Sequence, residues 1–318
     1  MIGPLARLAR AGILGINQRN VGYMLRLNPR ARYPLVDNKL LTKELCLEGG
    51  IPVPKLVAKA EHHFELPEFF EALSRRETFA LKPVRGAMGN GIVVVVGRDG
   101  DGWVRAGGRH LSAADLSYHT ESVLAGLYAL GGDHDFVMAE ELLKVHPALA
   151  EVSIHGVPDV RVIVYRGFPV MSMVRLPTAA SGGRANLHQG AVGAGIHLSR
   201  GETVNAVHLG ARAQRHPDTD CPLIGLAIPA FESVLSIAVA ATDRTGLGYV
   251  GADVVVDREQ GPVILELNAR PGLAIQISNS AGLLPRLDAI DEVARGRAEP
   301  QAVEERIAIA RSLSLSWD

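Results

Sequence analysis

Short apolar, β-branched runs recur along the chain, most of them bounded by glycine, proline or polar turns. Val263–Leu267, opened by Gly261-Pro262 and closed by Pro271-Gly272, predicts a buried strand, and Tyr249–Val256 predicts another. The connector 257–261 has hairpin length, so these two strands are expected to pair antiparallel. Val160–Tyr165 and Val170–Leu176 flank Arg166-Gly167-Phe168-Pro169 as a further hairpin, while Phe79–Val84, Ile92–Val96 and Phe136–Leu143 read as extended. A helix is predicted after Asp37 or Asn38 as N-cap, with Leu40, Leu41, Leu45 and Leu47 on its apolar side and Gly49-Gly50 as its stop. Pro67–Arg75 and Ile228–Thr242 predict two more helices, residues 111–130 alternate helical and loop signals, and residues 178–195 predict a loop, with His197-Leu198 partly in a strand after it. Glu304, Arg306 and Arg311 among alanines and isoleucines predict a surface helix. At the other end, Leu5, Leu8, Ile13 and Ile16 form a stripe expected to dock on the protein's own core, with a membrane surface as the lesser alternative. The class is α+β, built of interlocked lobes.

Composition narrows the function. The 318 residues are 47% hydrophobic and 21% charged, enough for a sizeable core, and the net charge of −1 offers no basic field for nucleic acid. Cys46 and Cys221 lack metal or redox spacing, and so sparse a pair suits a reducing cytoplasm. No run approaches eighteen apolar residues, so no transmembrane segment is expected, and Arg7, Arg10 and Arg19 break up the N-terminal stretch.

The candidate chemistry begins on the 263–267 strand. Glu266 and Asn268 are two apart and share a face, and the hairpin brings Asp253 beside them. Two carboxylates and a carboxamide form a hard oxygen cluster of the kind magnesium takes together with phosphate oxygens; strand-end acids meeting solvent are the plainer reading. LKPVRGAMGNG, residues 81–91, places Lys82 in a strand before Gly86, Gly89 and Gly91. A strand follows rather than a helix, so the loop is expected to be a flap between strands whose backbone amides close over phosphates. Lys82 is expected to meet an anion, against the alternative of a solvated edge lysine. Arg161 and Arg175 are expected about opposite one another on their hairpin, with a shared anion or Asp159 compensating them. Arg184 and Asn186 follow in RANLHQG, where His188 reads as a loop hydrogen-bonder rather than a base.

The order of these pieces resembles the ATP-grasp superfamily, within it the branch of ribosomal-protein glutamate ligase and glutathione synthetase. The motifs are Asp37-Asn38-Lys39, LKPVRGAMGNG, AEELLK (139–144), PDVR (158–161), RANLHQG (184–190) and GADVVVD…ILELNARPG, covering most of residues 37–280. NQRN (17–20) and NPRARYPLVDNKLLTK (28–43) look closer still to alpha-L-glutamate-ligase-like and sugar-transfer-associated ATP-grasp proteins. The resemblance implies two α/β lobes whose antiparallel sheets clamp a nucleotide: a cap at 1–36, a first lobe with the flap at 37–140, and a second lobe with the metal site at 141–318. It implies that Lys39 and Lys82 contact ATP phosphates under the Gly86–Gly91 flap, and that the backbone of Glu141, Leu142 and Leu143 reads adenine. Arg161 and Arg175 would hold the γ-phosphate and acyl phosphate, Arg184 and Asn186 would sit near phosphate or substrate, and Asp253, Glu266 and Asn268 would hold Mg²⁺, as two ions, with Mn²⁺ as a substitute. The branch has a small residue where Arg270 stands, and here Arg270 could hold a substrate carboxylate or stabilise a tetrahedral intermediate.

The implied activity is an ATP- and Mg²⁺-dependent carboxylate–amine ligase working through an acyl phosphate, adding glutamate or another amino acid to a peptide. A kinase that stops at phosphoryl transfer and a non-catalytic nucleotide-binding module are the alternatives. With about thirty-six residues before the first motif, the usual N-terminal substrate domain is expected to be much reduced. The cleft is then expected to be open, taking a large or peptidic substrate or awaiting a protein partner or second copy to complete its wall.

Overall fold

The computed structural model describes residues 8, 10–86, 89–129, 132–296 and 302–315. Its strands form two antiparallel sheets. The first is built from β1 (Leu56–Ala60), β2 (Phe79–Pro83), β3 (Val93–Asp99), β4 (Gly102–Arg105), β5 (His110–Leu111) and β6 (Val137–Glu140), in the order β1-β6-β2-β3-β4-β5. The second contains β7 (Asp159–Tyr165), β8 (Phe168–Leu176), β9 (Val192–Ile196), β10 (Thr203–His208), β11 (Ala211–Arg212), β12 (Tyr249–Asp257) and β13 (Gly261–Asn268), in the order β11-β10-β9-β8-β7-β12-β13.

β12 lies between β7 and β13 with all nine residues buried, which explains why it reads as an almost unbroken apolar run. Strand alternation splits β7 between two cores. Val160, Val162 and Val164 face the helix Phe231–Thr245, whose Val234, Leu235, Ala238 and Val239 pack at helical spacing. Ile163 and Tyr165 face the opposite core, with Leu14, Met24, Ile275, Leu283 and Leu287. Asp159 and Arg161 lie on that second face, so the sheet's polar end continues an apolar floor. The helices Leu66–Ser74 and Ala113–Leu124 cover the first sheet around Phe79, Leu81, Trp103 and Leu116. Ser112 and Asp115 cap the latter helix reciprocally.

Several expectations change in detail. Asn38 is the N-cap of Lys39–Glu48, accepting from Leu40 N and Leu41 N, but the buried face is Leu40, Thr42, Lys43 and Cys46, with Leu47 60% exposed. The loop after residue 178 ends earlier than read, in strand β9, because Val192, Ala194 and Ile196 alternate into the core. At the N-terminus Leu14 and Met24 do the docking, while Leu8 and Ile16 are 51% and 60% exposed; Leu5 lies outside the described residues. The 303–314 helix is in place, tied by Arg306 to Gly167 O and Asp243 and by Arg311 to Glu232. Among the described residues no helix is long and apolar enough to cross a membrane.

Candidate active site

The β12–β13 hairpin sets the centre of the site. Asp253 is opposite Glu266 and Gly251 opposite Asn268, so both carboxylates and the carboxamide lie on one face. Val254 then pairs with Ile264, leaving Leu265 as the extra residue of a bulge beside the two acids. The chain turns at Asp257, whose carboxylate accepts from Glu259 N, Gln260 N and Lys144 N.

Arg161 faces Asp253 from β7 and grips it with both ends of its fork, Nε to Oδ1 at 2.7 Å and NH2 to Oδ2 at 2.6 Å. Arg175 is not opposite Arg161, as expected, but opposite Asp159, with Arg161 opposite Met173. The hairpin turns at Arg166-Gly167, with Tyr165 opposite Phe168, and not around Phe168, where a turn would set the two arginines opposite, so the expected like-charge pair becomes a diagonal. Arg175 bonds Asp159 at 2.5 and 2.6 Å and reaches Asp253 Oδ2 at 2.7 Å. These two arginines and two aspartates balance in charge, and Glu266 adds an anion beside them.

That anion is the strained member. Burial and the neighbouring Asp253 push the Glu266 carboxyl up, against the opposing pull of Lys39 and Arg161. Burial acts to raise Asp253 too, but Arg161 and Arg175 outweigh it and hold Asp253 well below the usual carboxylate range. Among the described residues no three His, Cys, Asp or Glu side chains cluster as a metal site, so a metal set here needs Asn268 as third donor. Asn268 Oδ1 accepts from Arg270 N at 2.8 Å. The donors are all hard oxygens, and a dication would relieve the charge that raises Glu266; the residues therefore fit magnesium.

The lysines approach from the other sheet. Lys39, at the start of its helix, donates to Gly86 O at 2.6 Å and so ties that helix to the flap. Burial lowers its ammonium, and Glu266 is the largest of the opposing influences. Lys82 meets an anion, but a protein one: Glu140 Oε2 at 2.5 Å. Glu140 also pairs with Lys43 at 2.8 Å, so one buried carboxylate holds two buried lysines. The sequence reading missed Glu140 and Lys43. Their signal was an acid closing the apolar strand Val137–Glu140 and a lysine on the Leu40–Cys46 helix face.

The glycine loop joins β2 to β3, two antiparallel neighbours, as a flap requires. Ala87 and Met88 lie outside the described residues. Asp135, also missed, anchors the loop's root by accepting from Arg85 N at 2.9 Å. Arg184 reaches its tip: the side-chain Cδ is 3.8 Å from where a Cβ on Gly89 would stand. Asn186 accepts from His188 N within its own loop. Glu141 donates its amide to Lys55 O and lies between Lys55 and Arg76, while Leu142 and Leu143 cross from β6 toward the second sheet. Arg270 is not part of the Arg161–Asp253 network; it lies over the Tyr33 ring at 4.7 Å and faces Asp37 at 3.3 Å.

Residues 18–292 match the family described as sugar-transfer associated ATP-grasp. The chain belongs to that family. Two antiparallel sheets joined through 141–144, with the flap on one and the acids on the other, are the ATP-grasp fold in this member. No curated protein matches it. Among solved structures it is similar to the ATP-grasp ligase PsnB complexed with a minimal precursor, at 17% identity and a TM-score of 0.44 over 84% of this chain and 63% of that one. The D-alanine–D-alanine ligase from Bacillus anthracis complexed with ATP matches at 14% identity and 0.42 over 90% and 68%. The D-cycloserine synthetase DcsG matches at 12% and 0.46 over 83% and 72%. This ATP-grasp chain thus spans under two thirds of the length of PsnB.

Proposed function

We propose that this ATP-grasp protein is an ATP- and magnesium-dependent ligase that activates a carboxylate as an acyl phosphate and passes it to an amine. The observation carrying this reading is the ensemble of buried Asp253 and Arg161 with half-buried Glu266 and Arg175. It supplies hard oxygens and guanidinium forks, the groups that phosphoryl transfer requires of a protein. Lys39 and Lys82 would bind phosphate oxygens beneath the Gly86–Gly91 flap, and the backbone at Glu141–Leu143 would receive the adenine. Asp253, Glu266 and Asn268 would hold the metal, which when bound neutralises charge on the phosphates.

Arg161 and Arg175 would orient the transferred phosphoryl group and the acyl phosphate. Arg184, Asn186 and Arg270 would meet substrate at the mouth of the cleft. Arg184 and Arg270 are both exposed, so two guanidinium groups are accessible to a ligand from solvent, which supports a partner bearing a carboxylate, such as an acidic peptide. The test is to incubate the protein with ATP and magnesium, with amino acids alone and with acidic peptides added, and to resolve products by mass spectrometry. An amide product with ADP is expected, and peptides should raise its yield. A stable phosphorylated product would make the protein a kinase, and no ATP consumption in any mixture would overturn both readings.

A further inference from the structure

Charge is segregated in this chain. Residues 1–36 hold six arginines and no aspartate or glutamate, whereas the rest has 27 basic against 34 acidic side chains, a net −7. The described part of this segment has two unlike sides. Its inner side belongs to the protein: Leu14 and Met24 enter the core, and Arg19 donates to Pro271 O at 2.7 Å. Its outer side carries Leu8, Ile16, Val21 and Leu25, each 51–64% exposed. Four of the fourteen large hydrophobic side chains exposed among the described residues therefore fall within eighteen positions, 8–25. Val21 and Leu25 are four apart on the helical run 16–27, opposite buried Arg19 and Met24, and Ile16 stands one turn earlier.

Exposed arginines border these apolar groups. Arg10, Arg26 and Arg30 are exposed and have no acidic partner among the described residues. Arg26 also lines a cavity of about 140 Å³ with Gln18, Tyr23, Tyr165, Arg166 and Asp291. Asp291 is committed there to Arg166 at 2.7 Å and to the Tyr165 hydroxyl at 2.8 Å, which leaves the Arg26 guanidinium the uncompensated charge at the cavity's edge.

The geometry points to an anionic lipid surface as the partner of this face. Apolar side chains flanked by guanidinium groups match the boundary between acyl chains and anionic headgroups, where each kind finds its own medium. A soluble polyanion would engage the arginines and gain nothing from Ile16, Val21 and Leu25. The acidic remainder of the chain would be turned away from the same surface, fixing one orientation.

The experiment is sedimentation of the full chain with vesicles of phosphatidylcholine alone and of phosphatidylcholine with one third phosphatidylglycerol, at low and high salt. Binding is expected to the anionic vesicles and to weaken with salt. Arg26→Ser with Arg30→Ser should lose about fivefold for each arginine removed. Val21→Ser with Leu25→Ser should also release the protein, since charge alone gives weak attachment. All four side chains are exposed, and an unchanged melting temperature shows that each double variant folds. No binding to anionic vesicles, or equal binding by parent and variants, would overturn the inference. Self-association abolished by Val21→Ser with Leu25→Ser, with no vesicle binding, would overturn it in favour of an interface between copies.

Discussion

Glu140 accepts the Lys82 ammonium at 2.5 Å where both side chains are at most 10% exposed, and Lys43 completes the triad at 2.8 Å. Burial alone would raise Glu140, but Lys82 and Lys43 outweigh it and hold the carboxyl below the ordinary range. A depressed carboxyl stabilises the fold above its unfolded value, and that stability is lost as pH falls through the folded one. Glu140→Gln strands two buried ammonium groups, so urea unfolding at pH 7 should show a loss of about 3–5 kcal/mol. The parent's extra loss of stability in acid should shrink in the variant. Equal stability of the two proteins would mean that the lysines find other partners.

Asp253 and Glu266 are neighbours with different expected roles. Asp253 anchors Arg161 with both oxygens and is a second partner of Arg175, which keeps Asp159. Asp253→Asn should therefore cost about 3–5 kcal/mol of folding stability by leaving the buried Arg161 guanidinium without its carboxylate. Glu266 is raised by burial and by Asp253, so its ionised form at pH 7 costs stability. Glu266→Gln should therefore be as stable as the parent or more so, while ATP turnover disappears. Thermal melts and ADP release on the same preparations separate the two outcomes.

Much of this was legible in the sequence, for physical reasons. Strand alternation puts Glu266 and Asn268 on one face, but a regular hairpin through Asp257–Gly261 would set Asp253 opposite Leu265, and it is the bulge at Leu265 that brings Glu266 opposite Asp253. The Arg161–Arg175 register did not follow either, because the turn falls at Arg166-Gly167 and not around Phe168, and the four residues Arg166-Gly167-Phe168-Pro169 read alike as a loop. The Lys39–Glu48 helix was placed correctly, yet its inward face was misjudged. Leucine was taken as the buried residue, whereas Lys43 is drawn inward by Glu140 from a strand nearly a hundred positions away. Such long-range pairs are settled by tertiary packing, to which local periodicity is blind.

Gly91 has φ of +73°, and a Cβ there would stand 2.6 Å from a Tyr128 ring carbon and 3.1 Å from Pro83 Cγ. His119 Nε2 meets Gly91 O at 2.9 Å, so the flap's far end is held on both sides. Gly91→Ala should distort this end by about 1–3 kcal/mol and weaken nucleotide binding. Calorimetry with ATP in magnesium buffer measures it; unchanged affinity would place the flap's function elsewhere.

Cys46 is fully buried, and burial pushes its thiol up to about 11. Cys221 is half-buried. A thiol reagent at pH 8 should modify Cys221 in the native protein and reach Cys46 only in urea. Peptide mapping of the labelled protein identifies the site, and rapid native labelling at Cys46 would show that its helix opens readily.

The segment before residue 38 builds one side of the site. Asn28 is 2% exposed and uses its whole carboxamide on backbone: it donates to Tyr249 O at 2.7 Å and Ala269 O at 3.2 Å. Its Oδ1 accepts from Gly248 N at 3.1 Å and Tyr249 N at 3.0 Å. One side chain therefore bolts the start of β12 to the end of β13, the two strands that carry Asp253 and Glu266. Arg19 holds Pro271 O, while Tyr33 and Asp37 hold the Arg270 guanidinium, so residues 269–271 are gripped at every position. Asn28→Ala leaves three buried backbone groups, Tyr249 O, Ala269 O and Tyr249 N, without that partner, while Gly248 N keeps Leu27 O, and should cost about 3 kcal/mol. Asn28→Asp keeps the acceptor and loses both donors, so it should fall between. Nucleotide affinity should hold in both variants wherever they remain folded, because Lys39 and Lys82 belong to other elements. Product formation should drop, because Arg270 loses its fixed position. Melting curves, ATP calorimetry and product yield together decide this, and a parallel fall in nucleotide affinity would mean that Asn28 supports the whole cleft rather than the Arg270 side.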